Sequence, residues 1–231
     1  VSPELAAACA DALATCRARG ITTICDLNYR GKLWTPEQAQ NTMRGLLPLV
    51  DVCVANDEDA PAALGMTCVS GSLSHGIEER DSYVEMARQI CAEYDCKTVA
   101  SVVRNVQCVE RSQWMGALTT QPRMPTGSPP STTSTCVERS QWMGALYDAA
   151  TDAHWFSPIH DVHVLEGVGA GDAFNAGLIH ALRHGFDPQH VIDYAIAASV
   201  LKLSIRGDAN LVTPQEIEKV AASSGGARVE R

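Results

Sequence analysis

Three small residues and a carboxylate, Gly169-Ala170-Gly171-Asp172, lie where a strand-like run meets a helical one. Residues 162–165 are apolar except for His163 and read as a buried strand. Residues 173–183 carry the apolar spacing of a helix packed on a sheet. The turn between them brings the backbone N–H groups of Gly169, Ala170 and Gly171 to or near a helix N-terminus, where four N–H groups have no intrahelical partner. Such an end attracts anions, phosphate above all. A carboxylate repels phosphate, but Asp172 could take the proton from a hydroxyl about to attack one. The competing explanation is a purely structural tight turn. Two better-known phosphate loops do not fit. A dinucleotide-binding G-x-G-x-x-G meets Asp172 at its sixth position when started at Gly167 and Phe174 when started at Gly169, and no G-x-x-x-x-G-K-[ST] run exists.

The elements that must position this turn can be read in order. Ser2-Pro3-Glu4 starts a helix, with Ser as N-cap and Pro at the first position, and Gly20 suits its end. Residues 21–25 form a β-branched run that reads as a buried parallel strand. Its end carries Asp26, Asn28 and Arg30, and the C-terminal ends of parallel strands are where open α/β sheets bind ligands. Thr35-Pro36-Glu37-Gln38 is a capping box that opens a helix to about Leu47. A second buried strand, 50–55, ends in Asn56-Asp57-Glu58-Asp59, with a short helix to Leu64. A helix over 81–93 and a strand over 98–103 ending in Arg104 follow. This order predicts a parallel sheet with helices on both faces. Beyond the glycine turn, a helix over 188–203, a turn over 204–210, a second capping box at Thr213-Pro214-Gln215-Glu216 and a frayed tail from Ser223 complete the chain.

One stretch departs from this order. Residues 108–118, CVERSQWMGAL, recur letter for letter at 136–146. The Thr-, Ser- and Pro-rich spacer 119–135 has the composition of a disordered segment. Only one copy can take the native strand. The second is the better candidate, because it runs straight into Tyr147-Asp148 and the next strand. Residues 108–135 are then expected to be a disordered duplicated insert within a single domain spanning 1–231.

Composition limits the remaining possibilities. At 231 residues with 45% hydrophobic content the chain can bury an ordinary core. A net charge of −9 without any basic run argues against a nucleic-acid surface. No segment reaches the roughly 18 apolar residues of a membrane span, and no signal-peptide pattern is present. The nine cysteines include no C-x-x-C pair and read as reduced core residues of a cytoplasmic protein. A first residue other than Met is compatible with a fragment or a processed product.

Residues 169–177, GAGDAFNAG, resemble the second signature of the ribokinase-like (PfkB-type) sugar kinases. Residues 26–34, DLNYRGKLW, resemble a segment of the 2-keto-3-deoxygluconate kinases and, less closely, of the fructokinases. Residues 207–213, GDANLVT, resemble a C-terminal run of the former group. The resemblance covers nearly the whole chain in order, apart from the insert. It implies a three-layer α/β/α sandwich with a mostly parallel sheet, lacking the N-terminal strands and β-lid with which family members open. The implied reaction is transfer of the ATP γ-phosphate to a hydroxyl of 2-keto-3-deoxygluconate. By the resemblance, Asp172 is the catalytic base and also touches the sugar. Gly169, Ala170 and Gly171 form the anion hole, Arg30 binds the acidic sugar or a phosphate, and Asn28 belongs to the substrate site. Asn56 and Asp59 match an Asn-x-x-Glu element that organises Mg²⁺ and phosphate without direct metal ligation by protein, and Arg104 contacts ATP phosphate. Two features depart from the pattern: the usual Asp-Thr before the anion hole is Glu166-Gly167, and Asp59 replaces Glu. The implied partners are ATP, Mg²⁺ and a small sugar acid, with neither nucleic acid nor membrane, and with homo-oligomerisation open for the full-length protein. The alternatives are a fructokinase or other PfkB-type kinase, and an inactive fragment that retains nucleotide binding.

Overall fold

The alternation of side chains along the central strands sets the architecture. A computed structural model describes residues 2–66, 76–106 and 139–223. Six strands form one sheet: β1 (Ile24–Asp26), β2 (Val52–Val54), β3 (Thr98–Val106), β4 (Arg139–Asp148), β5 (Ala153–Phe156) and β6 (His160–His163). The order is β1-β2-β3-β4-β5, with β6 also paired to β4. The first three strands run parallel, as the interleaved helices require. β4 turns back antiparallel on β3 and carries β5 and β6 antiparallel along its two halves.

Successive residues point to opposite faces of a sheet, and two cores follow. Cys53, Val99, Val103, Met143, Ala145 and Tyr147 join one core with helices α2 (Pro36–Leu46), α3 (Asp59–Leu64) and α4 (Arg80–Tyr94). Val52, Val54, Ala100 and Leu146 join the other with α5 (Ala170–Arg183), α6 (Pro188–Leu203) and α7 (Pro214–Ala221). The result is the three-layer α/β/α arrangement. The helix starts follow the sequence signals. Thr35 and Gln38 cap α2 reciprocally, Thr213 and Glu216 do the same for α7, and the Asp187 side chain accepts from the His190 N–H at α6.

Several expectations need correction. Helix α1 (Pro3–Ala18) forms under its Ser2 cap but buries none of its residues, and Leu5 is 58% exposed. Cys9 on it is exposed, and Cys16 and Cys25 are partly so, whereas Cys53, Cys91 and Cys96 are core residues. β6 stops at His163 because the Leu165 and Glu166 N–H groups donate to the Leu203 carbonyl, at 2.8 and 3.2 Å, and draw the chain off the sheet toward the end of α6. Arg104 lies within β3 rather than at its end, since pairing with Trp142 of β4 prolongs the strand. β4 is built from the second copy of the duplicated sequence. The insert 108–135, Cys68, Cys108, Cys136 and the tail from residue 224 lie outside the described residues. Among the described residues no helix is long and apolar enough to cross a membrane.

Gly144 marks where α6 comes down on the sheet. A Cβ there would lie 2.7 Å from both Cδ1 and Cγ1 of Ile192, whose side chain is fully buried and has no room to retreat. Gly144→Ala is expected to cost about 1–3 kcal/mol by overpacking. Adding Ile192→Val should recover part of that loss in urea unfolding.

Candidate active site

The C-terminal ends of β1 and β2, the outer half of β3 and the start of α5 enclose a cleft of about 380 Å³. Asp26, Asn28, Tyr29, Arg30, Asn56, Glu58, Asp59, Arg104, Gly167, Ala170, Gly171 and Asn175 supply its polar lining and floor, and Val102, Trp142 and Phe174 an apolar wall. Residues expected from four separate stretches of sequence therefore meet in one place.

At the β1 end, the Leu27 N–H still bonds the Val54 carbonyl at 3.0 Å, and Leu27 is buried. The chain then turns at Asn28, whose φ of +39° is a conformation Asn tolerates better than most residues. This turn brings the Tyr29 N–H to Asp59 Oδ1 at 2.9 Å. Arg30 is exposed and donates through Nη1 to its neighbour's carbonyl at 2.8 Å. Among the described residues it forms no salt bridge.

At the β2 end, Asn56 works for the turn. Its Oδ1 accepts from the N–H groups of Glu58 (2.9 Å) and Asp59 (2.7 Å), and its Nδ2 donates to Asp59 Oδ2 at 2.8 Å. Asp59 is thus held at both oxygens. Arg104 reaches across from β3 to Glu58 at 3.0 Å.

The start of α5 is unusual in its backbone. Gly169 is the N-cap residue with φ +82°, and a Cβ on it would run into the Asp208 carbonyl oxygen. Ala170 and Gly171 are already the first helical residues rather than part of the turn. The Ala170 N–H makes only a 3.4 Å contact to the Gly167 carbonyl. Asp172 is exposed in the first turn and stands between two cleft-lining positions, Gly171 and, three residues on, Asn175.

Sequence reasoning named Asp26 only as part of a motif and Asn175 not at all as a site residue. Asn175 Nδ2 donates to Asp26 Oδ2 at 2.7 Å, tying α5 to β1 across the cleft floor. The available signal was the three-residue step from Asp172 to Asn175, which puts both on one helix face. Burial pushes the Asp26 carboxyl above its ordinary range. The Asn175 and Asn28 hydrogen bonds and Arg30 oppose the rise, while the negative charge of Asp172 adds to it. Burial likewise raises Asp59, with Asp26 adding to the rise and Tyr29 N–H, Arg30 and Asn56 opposing it. The cleft therefore crowds carboxylates around one unpaired guanidinium and one helix N-terminus. Among the described residues no three His, Cys, Asp or Glu side chains group to hold a metal ion.

This arrangement can be set beside known proteins. Residues 143–215, which include the glycine turn and Asp172, match the profile described as pfkB family carbohydrate kinase. The glycine turn and Asp172 thus lie in a segment similar to the PfkB carbohydrate kinases. The 2-dehydro-3-deoxygalactonokinase of Haloferax volcanii is 27% identical over 223 residues, covering 95% of this chain and 52% of that protein. The crystal structure of 2-dehydro-3-deoxygluconokinase from Thermotoga maritima superposes with a TM-score of 0.74 at 32% identity, covering 96% of this chain and 56% of that one. A PfkB family carbohydrate kinase from Listeria grayi shares the fold, with a TM-score of 0.70, 24% identity, and 94% and 55% coverage. The chain thus spans about half the length of these relatives.

Two substitutions test the site's construction. Gly169→Ala should destabilise the fold by more than about 1 kcal/mol, because both its positive φ and the Asp208 carbonyl forbid a methyl group. Gly171→Ala meets nothing within 4 Å, so chemical denaturation should show unchanged or slightly raised stability. Asp26→Asn keeps an oxygen for Asn175 and removes the buried charge. A carboxyl raised by folding holds its proton more tightly in the native state. Its stabilising contribution is full below the unfolded value of about 3.8 and is lost as pH rises through the folded value. The variant should therefore melt above wild type at pH 7, with the gap closing as pH falls through the raised folded value and closed by about pH 3.8.

Proposed function

We propose that the full-length protein is an ATP-dependent sugar kinase, acting on 2-keto-3-deoxygluconate. The carrying observation is the pairing of an anion-seating helix start with the Asp172 carboxylate, beside a cleft that holds an unpaired Arg30. Asp172 takes the proton of the attacking sugar hydroxyl. The N–H groups at the start of α5 hold the charge of the transferring phosphoryl group, and because the folded backbone already orients them, little reorganisation is needed. Arg30 offers a planar, permanently charged fork suited to the carboxylate of a sugar acid, and Asn28 beside it offers an amide for a hydroxyl. The names of the two relatives above favour a 2-dehydro-3-deoxy sugar acid over fructose.

Nucleotide and Mg²⁺ fit the same site. Both Asp59 oxygens, the Asn56 Oδ1 and one Nδ2 proton of Asn56 are engaged within the protein. Mg²⁺ would therefore ride mainly on phosphates and water, as this ion commonly does, near Asp59 and Glu58. When bound it neutralises phosphate charge. Arg104, steadied by Glu58, is placed to meet a phosphate from the β3 side.

Asp172→Asn in the full-length protein is expected to lower kcat by about 100-fold or more while ATP-Mg binding persists. Near-normal turnover would overturn the assignment. A coupled ADP-release assay with 2-keto-3-deoxygluconate, its galactonate counterpart and fructose decides the sugar, and preference for fructose would replace this reading with fructokinase.

A further inference from the structure

We infer that Lys202 is a positioning residue of the anion seat, its buried ammonium bracing the Gly169 turn from behind and adding fixed positive charge to it; the inference rests on the phosphoryl-transfer reading above. Lys202 lies in the last turn of α6 and is fully buried, among the least exposed residues of the chain. An ammonium has three protons to donate. One goes to the Ile205 carbonyl at 3.1 Å, the single acceptor it meets among the described residues. Among those residues no carboxylate forms a salt bridge with it. A buried cation without a counter-ion is costly, and a core position in a helix would be filled more cheaply by methionine.

The surroundings of Lys202 give the charge a role. Its Cε lies 3.2 Å from where a Gly169 Cβ would be, so the side chain passes directly under the turn. The Asp208 carbonyl presses on the same glycine from the loop that Ile205 begins. Ser199, one turn earlier on α6 and also fully buried, donates Oγ to the Ala170 carbonyl at 2.9 Å. The end of α6 therefore grips the first residues of α5 through Ser199 and ties the 205–208 loop down through Lys202. The ammonium sits behind a helix N-terminus that already carries partial positive charge. The two positive ends repel one another until an anion lies in front of them. A phosphate arriving at the seat supplies that missing counter-charge.

The chain contains four lysines, Lys32, Lys97, Lys202 and Lys219, so each can be followed separately. Calorimetric titration with ATP-Mg and with adenosine would compare wild type, Lys202→Met and Lys202→Arg. The expected result is an ATP affinity about tenfold weaker in Lys202→Met, adenosine affinity unchanged, and recovery to within about threefold in Lys202→Arg. A purely structural role would instead weaken ATP and adenosine alike, and unchanged ATP affinity in a folded Lys202→Met would also overturn the inference. Should that variant fail to fold, ¹³Cε-labelled wild type decides. The Lys202 signal should move on adding ATP-Mg and stay still with adenosine, and a signal indifferent to ATP overturns the proposal. If wild type binds neither compound, the kinase reading itself falls and this inference with it. If wild type binds ATP while Lys202 proves indifferent, only the inference falls.

Discussion

The close approach of α5 to α6 is the constraint on which the cleft depends. A side chain at Gly177 would lie 3.0 Å from both Ala195 Cα and Ala198 Cβ, so the two helices pack nearly backbone to backbone. That contact sets the depth at which α5 begins. At its start, Gly169 has no space between Asp208 and Lys202, and Ser199 holds Ala170. The start of α5, which lines the cleft, is therefore set by a helix pair, not by a loop. Glycine is needed at Gly169 for its conformation and its size together, and at Gly177 for its size.

Carboxylates outnumber guanidinium groups in the cleft lining. The chain carries a net charge of −9, and its cleft gathers Asp26, Glu58 and Asp59, with Asp172 close by. A site proposed to take phosphates and a sugar acid would be expected to look basic. Here the positive elements are few: two guanidinium groups and a helix end, with the buried ammonium of Lys202 behind. The carboxylates do other work. Asp26 anchors Asn175, Asp59 fixes the β1 turn through Tyr29, and Glu58 steadies Arg104.

Much of this was legible before any coordinates. The helix expected over 188–203 forms over those residues, and two capping boxes marked α2 and α7, because cap chemistry is local. The strand ends announced Asn28, Arg30, Asn56 and Asp59, and these do meet in one cleft. What was not legible depended on partners far along the chain. The apolar spacing of α1 mimics a core helix, yet spacing cannot say whether anything lies against it. Asn56 carried an Mg²⁺- and phosphate-organising role by resemblance, and in the fold its amide also closes the turn that leads into α3. Lys202 looks like an ordinary basic residue near a helix end, a place where cations are common, and only its burial sets it apart. The antiparallel return of β4 follows from its pairing with β3, a choice that the order of elements leaves open.

The bond from Asn175 to Asp26 joins positions 149 residues apart. Joining such distant points demands loop closure that local helices and turns do not need, and chains rich in such contacts fold slowly. The cleft is accordingly one of the last features the chain can complete. Helices with good caps can form early, whereas the cleft needs both β1 and α5 in register. A ligand that bridges those two elements would bind only the finished fold. It would act as a clamp on a late-closing seam, slowing unfolding without hastening folding.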